Sequence, residues 1–395
     1  MKHITKTVIV LSVVSLFTDM ASEMLYPIMP IYLKSIGFSI VLIGILEGVA
    51  EAVAGLSKGY FGKMSDITGK RVPFVQLGYS LSALSKPMMA MFIYPLWIFF
   101  ARTIDRFGKG IRTGARDAIL SDEATVDTKG KVFGFHRSMD TMGAVIGPLL
   151  ALIYLYYFPE NYKTLFYIAF IPGLFAVLST LLLKKSQNTL SSKHIPVKAF
   201  SFFKYWRESP PEYRTLLIGL LGFALINSSD VFLLLKAKQS GITDTKIIFL
   251  YIFYNLVYAM FAFPLGSLAD KIGLKKMFVA GLIGFALVYS GMGWNDSMVG
   301  YIVLFFIYGV YAASTEGISK AWISNITNKK DTATAIGTYS GFQSICSMLA
   351  STIAGLVWYQ FGAKTLFVFT GIMTVAIIFY FLLWKSRGSL DKPSV

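Results

Sequence analysis

Ionisable side chains interrupt long apolar segments of this sequence, and their spacing is that of a single helix face. Asp19 stands four residues before Glu23, and Arg102 stands three and four residues before Asp105 and Arg106. A proton can neutralise a carboxylate that pairs with an arginine, and the released arginine can then hold an anionic group. These residue types in this pattern therefore indicate a site where proton binding and anion binding are linked.

Further acids occur inside apolar segments. Glu47 and Glu51 share a helix face, and two ionised carboxylates at this spacing repel, so at least one needs a proton or a basic neighbour. Asp230 follows the polar stretch "INSS", and Glu316 stands four residues before Lys320, a spacing that favours an ion pair between them. The candidates for solute and proton binding are Asp19, Glu23, Arg102, Asp105, Arg106, Asp230, Glu47 and Glu51.

The surroundings of these residues follow from composition. Hydrophobic residues make up 55% of the 395-residue chain and charged residues 15%, which leaves too little polar surface to cover a soluble domain of this size. The net charge is +16, but Lys and Arg gather at alternate ends of the apolar runs, so we expect a lipid bilayer and no nucleic acid as partner. The single cysteine, Cys346, excludes an intrachain disulfide.

The apolar segments are long enough to be transmembrane helices. A bilayer core of about 30 Å requires about 20 apolar helical residues, and the sequence divides into about twelve such segments. They are 7–33, 39–62, 72–92, 95–118, 131–157, 163–184, 214–237, 245–269, 276–293, 298–323, 333–359 and 363–384. We predict an all-α polytopic membrane protein of two pseudo-symmetric six-helix bundles, residues 1–184 and 214–395, joined by a central cytoplasmic loop at 185–213.

The distribution of basic residues predicts the topology. With the N-terminus inside, 26 of the 37 Lys and Arg residues lie at the termini, in the inner connections or at the span ends that adjoin them, 6 lie in the outer connections or at their adjoining span ends, and 5 lie deeper within spans. This asymmetry predicts that both termini are cytoplasmic. Arg102 and Arg106 then lie about 10 and 16 Å from the outer end of their span, and Asp19 reaches a similar depth. We expect Asp19 or Glu23 to partner one of these arginines, as an exchangeable pair or as a permanent structural one.

One phrase of the sequence occurs twice. "GKMSDITGKR" covers residues 62–71, and "GSLADKIGLKK" begins 204 residues later at Gly266. Both copies follow the second span of their half, so the second half repeats the plan of the first, as in many secondary transporters. A fainter similarity aligns Gly134 with Gly337 at an offset of 203.

With this phrase in both halves, the sequence resembles the major facilitator superfamily over essentially its whole length, through the motif G-x-x-x-D-x-x-G-x-[RK]. Gly143, Gly147 and Pro148 are similar to an abbreviated glycine-proline motif of the drug/proton antiporter branch. The stretch "ARTIDRFGKGIRTGARDAILSD" is similar to the membrane-embedded arginine motif of that branch, but it is more basic.

The resemblance implies a rocker-switch carrier in which spans 1, 4, 7 and 10 line a central cavity. It also implies that the repeated phrase makes gating contacts that break when the cytoplasmic side opens. The charges toward the inner ends of spans 4 and 10 lie closer to the cytoplasm, so we expect them to be gate or loop partners and not solute ligands. The gating candidates are Gly62, Asp66, Gly69, Lys70, Arg71, Lys109, Arg112, Arg116, Asp117, Asp270, Glu316 and Lys320.

These observations predict a multi-pass carrier of the inner or plasma membrane and not an enzyme. We expect a secondary active, proton-coupled transporter of a small amphipathic or anionic organic solute, working by alternating access as a monomer without a cofactor. Sodium coupling and multidrug-type export stay open as alternatives, as does the direction of transport. A polytopic membrane enzyme is a weaker alternative, because the chain has three histidines, no cluster with metal-ligand spacing and no phosphate-binding loop.

Overall fold

The structure, a computed structural model, describes residues 4–26, 28–38, 40–183 and 204–384. That part of the chain is helical and contains no β-strand, which confirms the predicted all-α class. The first 19 residues of the predicted central loop, 185–203, lie outside the described residues. The helices are α1 (Lys6–Leu25), α2 (Met29–Ser35), α3 (Ile40–Thr68), α4 (Arg71–Met91), α5 (Pro95–Asp122), α6 (Lys129–Tyr157), α7 (Tyr162–Thr180), α8 (Tyr205–Glu208), α9 (Pro211–Ala224), α10 (Val231–Gln239), α11 (Asp244–Ile272), α12 (Leu274–Met292), α13 (Met298–Ile326) and α14 (Thr332–Leu383).

The predicted spans coincide with these helices, with three differences of detail. Span 7–33 consists of α1 and α2, and span 214–237 consists of α9 and α10. Helix α14 covers the two spans 333–359 and 363–384, and Gly362 interrupts its helical geometry between them. The φ angle of Gly362 is 82°, in the left-handed region that a residue without a Cβ adopts at no steric cost.

Many of the helices can cross a membrane. In the described part of the chain, seven segments are long and apolar enough: Lys6–Leu25, Val126–Tyr157, Tyr162–Thr180, Lys246–Ile272, Leu274–Met292, Met298–Ile326 and Lys329–Leu383. Helix α5 is not one of them, because it carries the row of arginines and acids that the sequence singles out. The helices are those of a multi-pass membrane protein.

The chain folds into two compact units. The first consists of Met1–Glu123, Met139–Glu208 and Thr327–Ser344, and the second of Ala124–Ser138, Ser209–Ile326 and Ile345–Val395. The beginning of α6 therefore belongs to the second unit, and the beginning of α14 belongs to the first. Each unit takes most of its helices from one half of the sequence and one helix start from the other.

In the first unit, α4 and α5 approach each other at two glycines. A Cβ on Gly78 would lie 2.6 Å from the carbonyl oxygen of Gly108, and a Cβ on Gly108 would lie 2.6 Å from that of Gly78. Only glycine permits backbones to approach this closely. The contact fixes the register in which Lys86 of α4 lies beside Asp105 of α5.

In the second unit, an aromatic cluster joins α9, α12 and α13. The rings of Phe285 and Tyr289 stack with centroids 4.1 Å apart, and Phe285 lies 5.0 Å from Phe223 and 4.8 Å from Tyr311. Buried aromatic pairs contribute about 0.5–1.5 kcal/mol each beyond the area that they bury. The cluster therefore holds Tyr311 in place next to the break between α9 and α10.

Replacing Gly78 with alanine tests the backbone contact between α4 and α5. We expect Gly78→Ala to lower the free energy of unfolding by about 1–3 kcal/mol, the usual cost of overpacking, measured by thermal unfolding of the purified protein in detergent. The matched control is Gly284→Ala in α12, where the new Cβ would meet no atom closer than 3.6 Å. Both variants gain the same helix propensity, so equal melting temperatures would contradict the contact.

Candidate functional site

A buried ion pair joins α4 to α5 in the first unit. Lys86 Nζ lies 2.8 Å from Asp105 Oδ1, and Arg102 Nη1 lies 3.4 Å from Asp105 Oδ2. Lys86 is 2% exposed, Asp105 5% and Arg102 7%. Removing one member of such a group would leave a buried charge without compensation. Asp105 therefore holds two cations, although the sequence pattern assigns no function to Lys86.

The arginines that follow on α5 also have partners in the first unit. Arg112 Nη1 donates a hydrogen bond to Ser82 Oγ at 2.5 Å, and its guanidinium lies 4.5 Å from the ring centre of Tyr79. Arg116 Nε donates to Asp117 Oδ1 at 2.9 Å. Along α5, which carries five Lys and Arg residues and three Asp residues, the cations outnumber the acids.

The acid of α1 lies beside an acid of α6. Asp19 of α1 lies close enough to Asp140 of α6 for their side chains to interact, and Glu23 and Lys109 are also near it. Asp140 Oδ1 also accepts a hydrogen bond from Ser15 Oγ. Two carboxyl groups can bond to each other only when one of them carries a proton. The pair is therefore a place where the first unit can hold a proton.

The predicted partnership is of Asp19 or Glu23 with Arg102 or Arg106, and this arrangement differs from it for Asp19, while the alternative with Glu23 stays a prediction. Among the described residues, no arginine pairs with Asp19. The reason is the small-residue face of α6, where Gly143 and Gly147 rest against the backbone of α1 and bring Asp140 to Asp19. The sequence singles out these glycines as a motif without indicating that they place two carboxyls together.

The other predicted acids are found in different surroundings. In the second unit, Glu316 Oε2 lies 3.2 Å from Arg137 Nη2 of α6, so Glu316 pairs with another helix and not with Lys320. Lys320 is itself buried on α13. The side chains of Glu47 and Glu51 lie outside the described part of the structure, and their assignment as alternative proton sites stays a prediction.

Asp230 lies at a break between α9 and α10 in the second unit. Its Oδ2 accepts a hydrogen bond from Tyr254 Oη of α11, and its Oδ1 accepts one from Tyr308 Oη of α13, both at 2.6 Å. These tyrosines are absent from the sequence-based candidates. Four polar residues in a row at 227–230 were the signal that the apolar span is broken here, because such side chains compete with the backbone for hydrogen bonds.

The first copy of the repeated phrase caps the helix α14. Asp66 accepts hydrogen bonds from the backbone N–H groups of Ala333 at 3.3 Å and Thr334 at 2.6 Å, and from Thr334 Oγ1 at 2.8 Å. Ala333 and Thr334 are in the first turn of α14, where N–H groups have no partner within the helix. Gly62, one turn before Asp66, lies against the carbonyl of Ala333 and the Cα of Gly337.

Arg71 and Gly69 complete this contact within the first unit. Arg71 lies 3.3 Å from Asp66, pairs with Asp122 at the end of α5, and donates to the carbonyl oxygen of Lys329 at 3.1 Å. Gly69 has a φ angle of 65°, which turns the chain between α3 and α4. Lys70 is exposed at the start of α4 and makes no side-chain cap.

The second copy repeats the contact in the second unit. Asp270 accepts hydrogen bonds from the N–H groups of Gly130 and Lys131, both at 2.7 Å, in the first turn of α6. Gly266 lies against the backbone of Gly130 and Gly134, as Gly62 lies against α14. The repeated phrase therefore has the same role in both copies, because the Asp of each copy accepts hydrogen bonds from a helix start in the other half of the sequence.

Burial changes the acidity of Asp66, which lies beyond the predicted span 39–62. Desolvation raises its pKa from 3.8 to about 6, against the opposing effects of Arg71 and of the hydrogen bonds from Thr334 and Ala333. If the carboxyl were released to water, its pKa would return toward the ordinary value. Protonation of the Asp66 carboxyl therefore stabilises the state in which it caps α14 relative to the state in which it is released to water.

Comparison with known proteins places this geometry in a family. A model of the Major Facilitator Superfamily matches residues 11–243 and 231–394. An uncharacterized MFS-type transporter of Methanocaldococcus jannaschii is 32% identical over 380 residues, which cover 95% of this chain and 94% of that protein. Two solved structures share the fold. The human organic anion transporter MFSD10 superposes with a TM-score of 0.77 at 16% sequence identity, and the alignment covers 95% of this chain and 98% of MFSD10. The Escherichia coli fucose:proton symporter FucP superposes with a TM-score of 0.75 at 14% sequence identity, and the alignment covers 96% of this chain and 98% of FucP.

The pKa of Asp66 gives the contact with α14 a defined pH dependence. A carboxyl whose pKa is about 6 when capped and 3.8 when released makes its strongest contact below pH 3.8, and the contact weakens as the pH rises to 6. At about 1.4 kcal/mol per pKa unit, the total change is about 3 kcal/mol. We expect the amide protection factors of Ala333 and Thr334, corrected for intrinsic exchange, to fall across this interval and to be constant above it.

Hydrogen exchange with mass spectrometry of the purified protein measures this effect. In Asp66→Asn the protection of residues 332–336 should lose its dependence on pH. The control is Asp122→Asn, which removes another carboxylate that contacts Arg71. A pH dependence that persists unchanged in Asp66→Asn would show that another group titrates.

Proposed function

The chain belongs to the Major Facilitator Superfamily, and we propose from this premise that it moves a small amphipathic or anionic organic solute across the membrane by proton-coupled alternating access. It is a transporter and not an enzyme. The transport of a solute against its gradient requires a site whose proton occupancy and solute occupancy are linked. The first unit has carboxyl groups that could hold a proton and basic side chains that could hold an anionic solute.

The observation that carries proton coupling is the contact between the carboxyls of Asp19 and Asp140. With one proton the two groups share a hydrogen bond. Without it, two negative charges stand side by side in an apolar unit, and their repulsion drives the helices α1 and α6 apart or draws a cation to them. A change of protonation at this pair therefore has a mechanical consequence. The proton would come from water on one side of the membrane and leave to water on the other.

The positive excess along α5 supports an anionic or amphipathic solute. Asp105 engages both Lys86 and Arg102, so the two cations share one carboxylate. Arginine presents several N–H donors in a plane that fits a carboxylate. Among proteins of the same fold, one neighbour is an organic anion transporter and another is a fucose:proton symporter. The first name is consistent with an anionic solute, and the second is consistent with proton coupling.

The repeated caps are the proposed gate. The Asp66 and Asp270 contacts each tie a helix start from one half of the sequence to a helix end from the other half. We propose that these contacts lie on the cytoplasmic side, with both termini cytoplasmic, because the basic residues gather on that side. Opening on that side would release the caps and expose four first-turn N–H groups to water.

Coupling can be tested by uptake of radiolabelled p-aminohippurate, an organic anion, into proteoliposomes. With an imposed pH gradient we expect accumulation by the parent protein. Asp19→Asn should retain exchange of labelled for unlabelled solute but lose gradient-driven accumulation, because an amide cannot gain or lose the proton. Asp296→Asn is the control, since Asp296 lies outside the predicted spans and is an exposed carboxylate that pairs with Lys236. Accumulation driven by sodium in place of the pH gradient would contradict proton coupling.

Arg102→Ala tests the contribution of the basic helix. We expect at least about a tenfold loss of p-aminohippurate exchange, the size expected for a lost hydrogen bond to a charged group. The rate of proton leak should stay that of the parent. Exchange at the parental rate would remove Arg102 from the solute site and leave the family assignment unchanged.

A further inference from the structure

The span that contains Asp230 is discontinuous. Helix α9 ends at Ala224 and α10 begins at Val231, and the segment between them is not helical throughout. The N–H of Ser228 bonds to the carbonyl of Ile226 at 3.2 Å, and the N–H of Ser229 bonds to Ser351 Oγ of α14 at 3.1 Å. Unwound backbone at membrane depth is tolerated only where protein or water covers it, and such breaks often line binding sites.

The negative charge at this break is not neutralised by a basic side chain. Both oxygens of Asp230 accept hydrogen bonds from tyrosines, and among the described residues no lysine, arginine or histidine pairs with it. The side chain does not cap α10 either. Tyrosine hydroxyls stabilise a carboxylate but leave its charge in place. Asp230 keeps part of its surface exposed, so a ligand can reach it.

An acceptor without a donor lies three residues before Asp230. Asn227 Nδ2 donates a hydrogen bond to Tyr311 Oη at 3.1 Å, while Asn227 Oδ1 is buried and has no partner among the residues that the structure describes. A buried acceptor that stays unsatisfied costs about 1–3 kcal/mol. A ligand with N–H donors would remove that cost.

Aromatic rings surround the carboxylate. The ring centre of Tyr308 lies 5.4 Å from that of Tyr254 and 5.3 Å from that of Tyr311, and all three residues are buried. The face of a tyrosine ring attracts a cation that lies over it. The break thus combines an unneutralised carboxylate, a free acceptor and aromatic faces.

We propose that this break binds the ammonium group of the transported solute. The proposal rests on the proposed transport function and specifies the solute as one that carries a basic amine, alone or together with an anionic group. An R–NH3⁺ group has three N–H donors, and the acceptors here are the Asp230 carboxylate, Asn227 Oδ1 and the lone pairs of the tyrosine hydroxyls. A carboxylate in this position would be repelled by Asp230. A hydroxyl would supply a single donor, so that most of these acceptors would stay without one.

The test compares three probes with similar rings and chains but different charges. The purified full-length protein in detergent with KCl is titrated with 2-phenylethylamine, 2-phenylethanol or 3-phenylpropionate, and thermal unfolding reports binding. We expect the amine to raise the melting temperature in a saturable way and the alcohol to have little effect. In Asp230→Asn, which keeps the shape of the side chain, the apparent affinity for the amine should fall roughly 10- to 100-fold.

Two further variants separate binding from folding. Asp296→Asn, in the same unit, should bind the amine like the parent. Asn227→Leu, which removes the unsatisfied oxygen, should weaken amine binding roughly tenfold while the protein still unfolds cooperatively. Amine stabilisation of equal size in the parent and in Asp230→Asn would overturn the proposal. So would stabilisation by NaCl over KCl that is lost in Asp230→Asn, because the site would then hold an inorganic cation.

The outcome is distinguishable from a failure of the transport proposal. Amine binding that depends on Asp230, in a protein that moves no solute under a pH gradient, would support the ammonium site and contradict proton-coupled transport. Gradient-driven uptake of p-aminohippurate together with amine binding that ignores Asp230 would support transport and overturn the ammonium site.

Discussion

A helix start inside an apolar body leaves N–H groups without partners, and this constraint organises both units. The first turns of α6 and α14 are such starts. Carboxylates from elsewhere in the chain, Asp270 and Asp66, supply the acceptors. A buried N–H group that is left unsatisfied costs about 1–3 kcal/mol, so each acceptor stabilises the helix start that it contacts. Each carboxylate therefore fixes a helix start from the opposite half of the sequence.

Buried charge is handled in two ways. In the first unit, Asp105 is paired with Lys86 and Arg102, so its charge is compensated by side chains of the protein. In the second unit, the described partners of Asp230 are two tyrosine hydroxyls, which carry no compensating charge. A compensated charge can be permanent, whereas an uncompensated one in a membrane span is costly unless something else binds there. This contrast supports an anionic group at α5 and an ammonium group at Asp230 as the proposed ligands.

The sequence predicts elements and faces well and partners poorly. Hydropathy locates the helices because a span must be apolar over about 20 residues, and a period of 3.6 residues places Arg102 and Arg106 on one face. The partners of Lys86 and Asp19 lie 19 and 121 residues away on other helices, and no local spacing encodes those distances. The partner of Asp66 is 268 residues away. The repeated phrase is the exception, because duplication reveals that two contacts are of one kind even when their partners are unknown.

The two copies of the cap are equivalent in geometry but unequal in strength. Asp66 adds Thr334 Oγ1 and Arg71 to its two backbone donors, while the described hydrogen bonds of Asp270 are the two from backbone N–H groups. Arg71 in turn engages Asp122 and the carbonyl of Lys329. Breaking the first cap therefore disrupts a network, and breaking the second disrupts a pair of hydrogen bonds. Under alternating access, the contact of Asp270 would be released at lower cost, and the contact of Asp66 would limit how readily the gate opens.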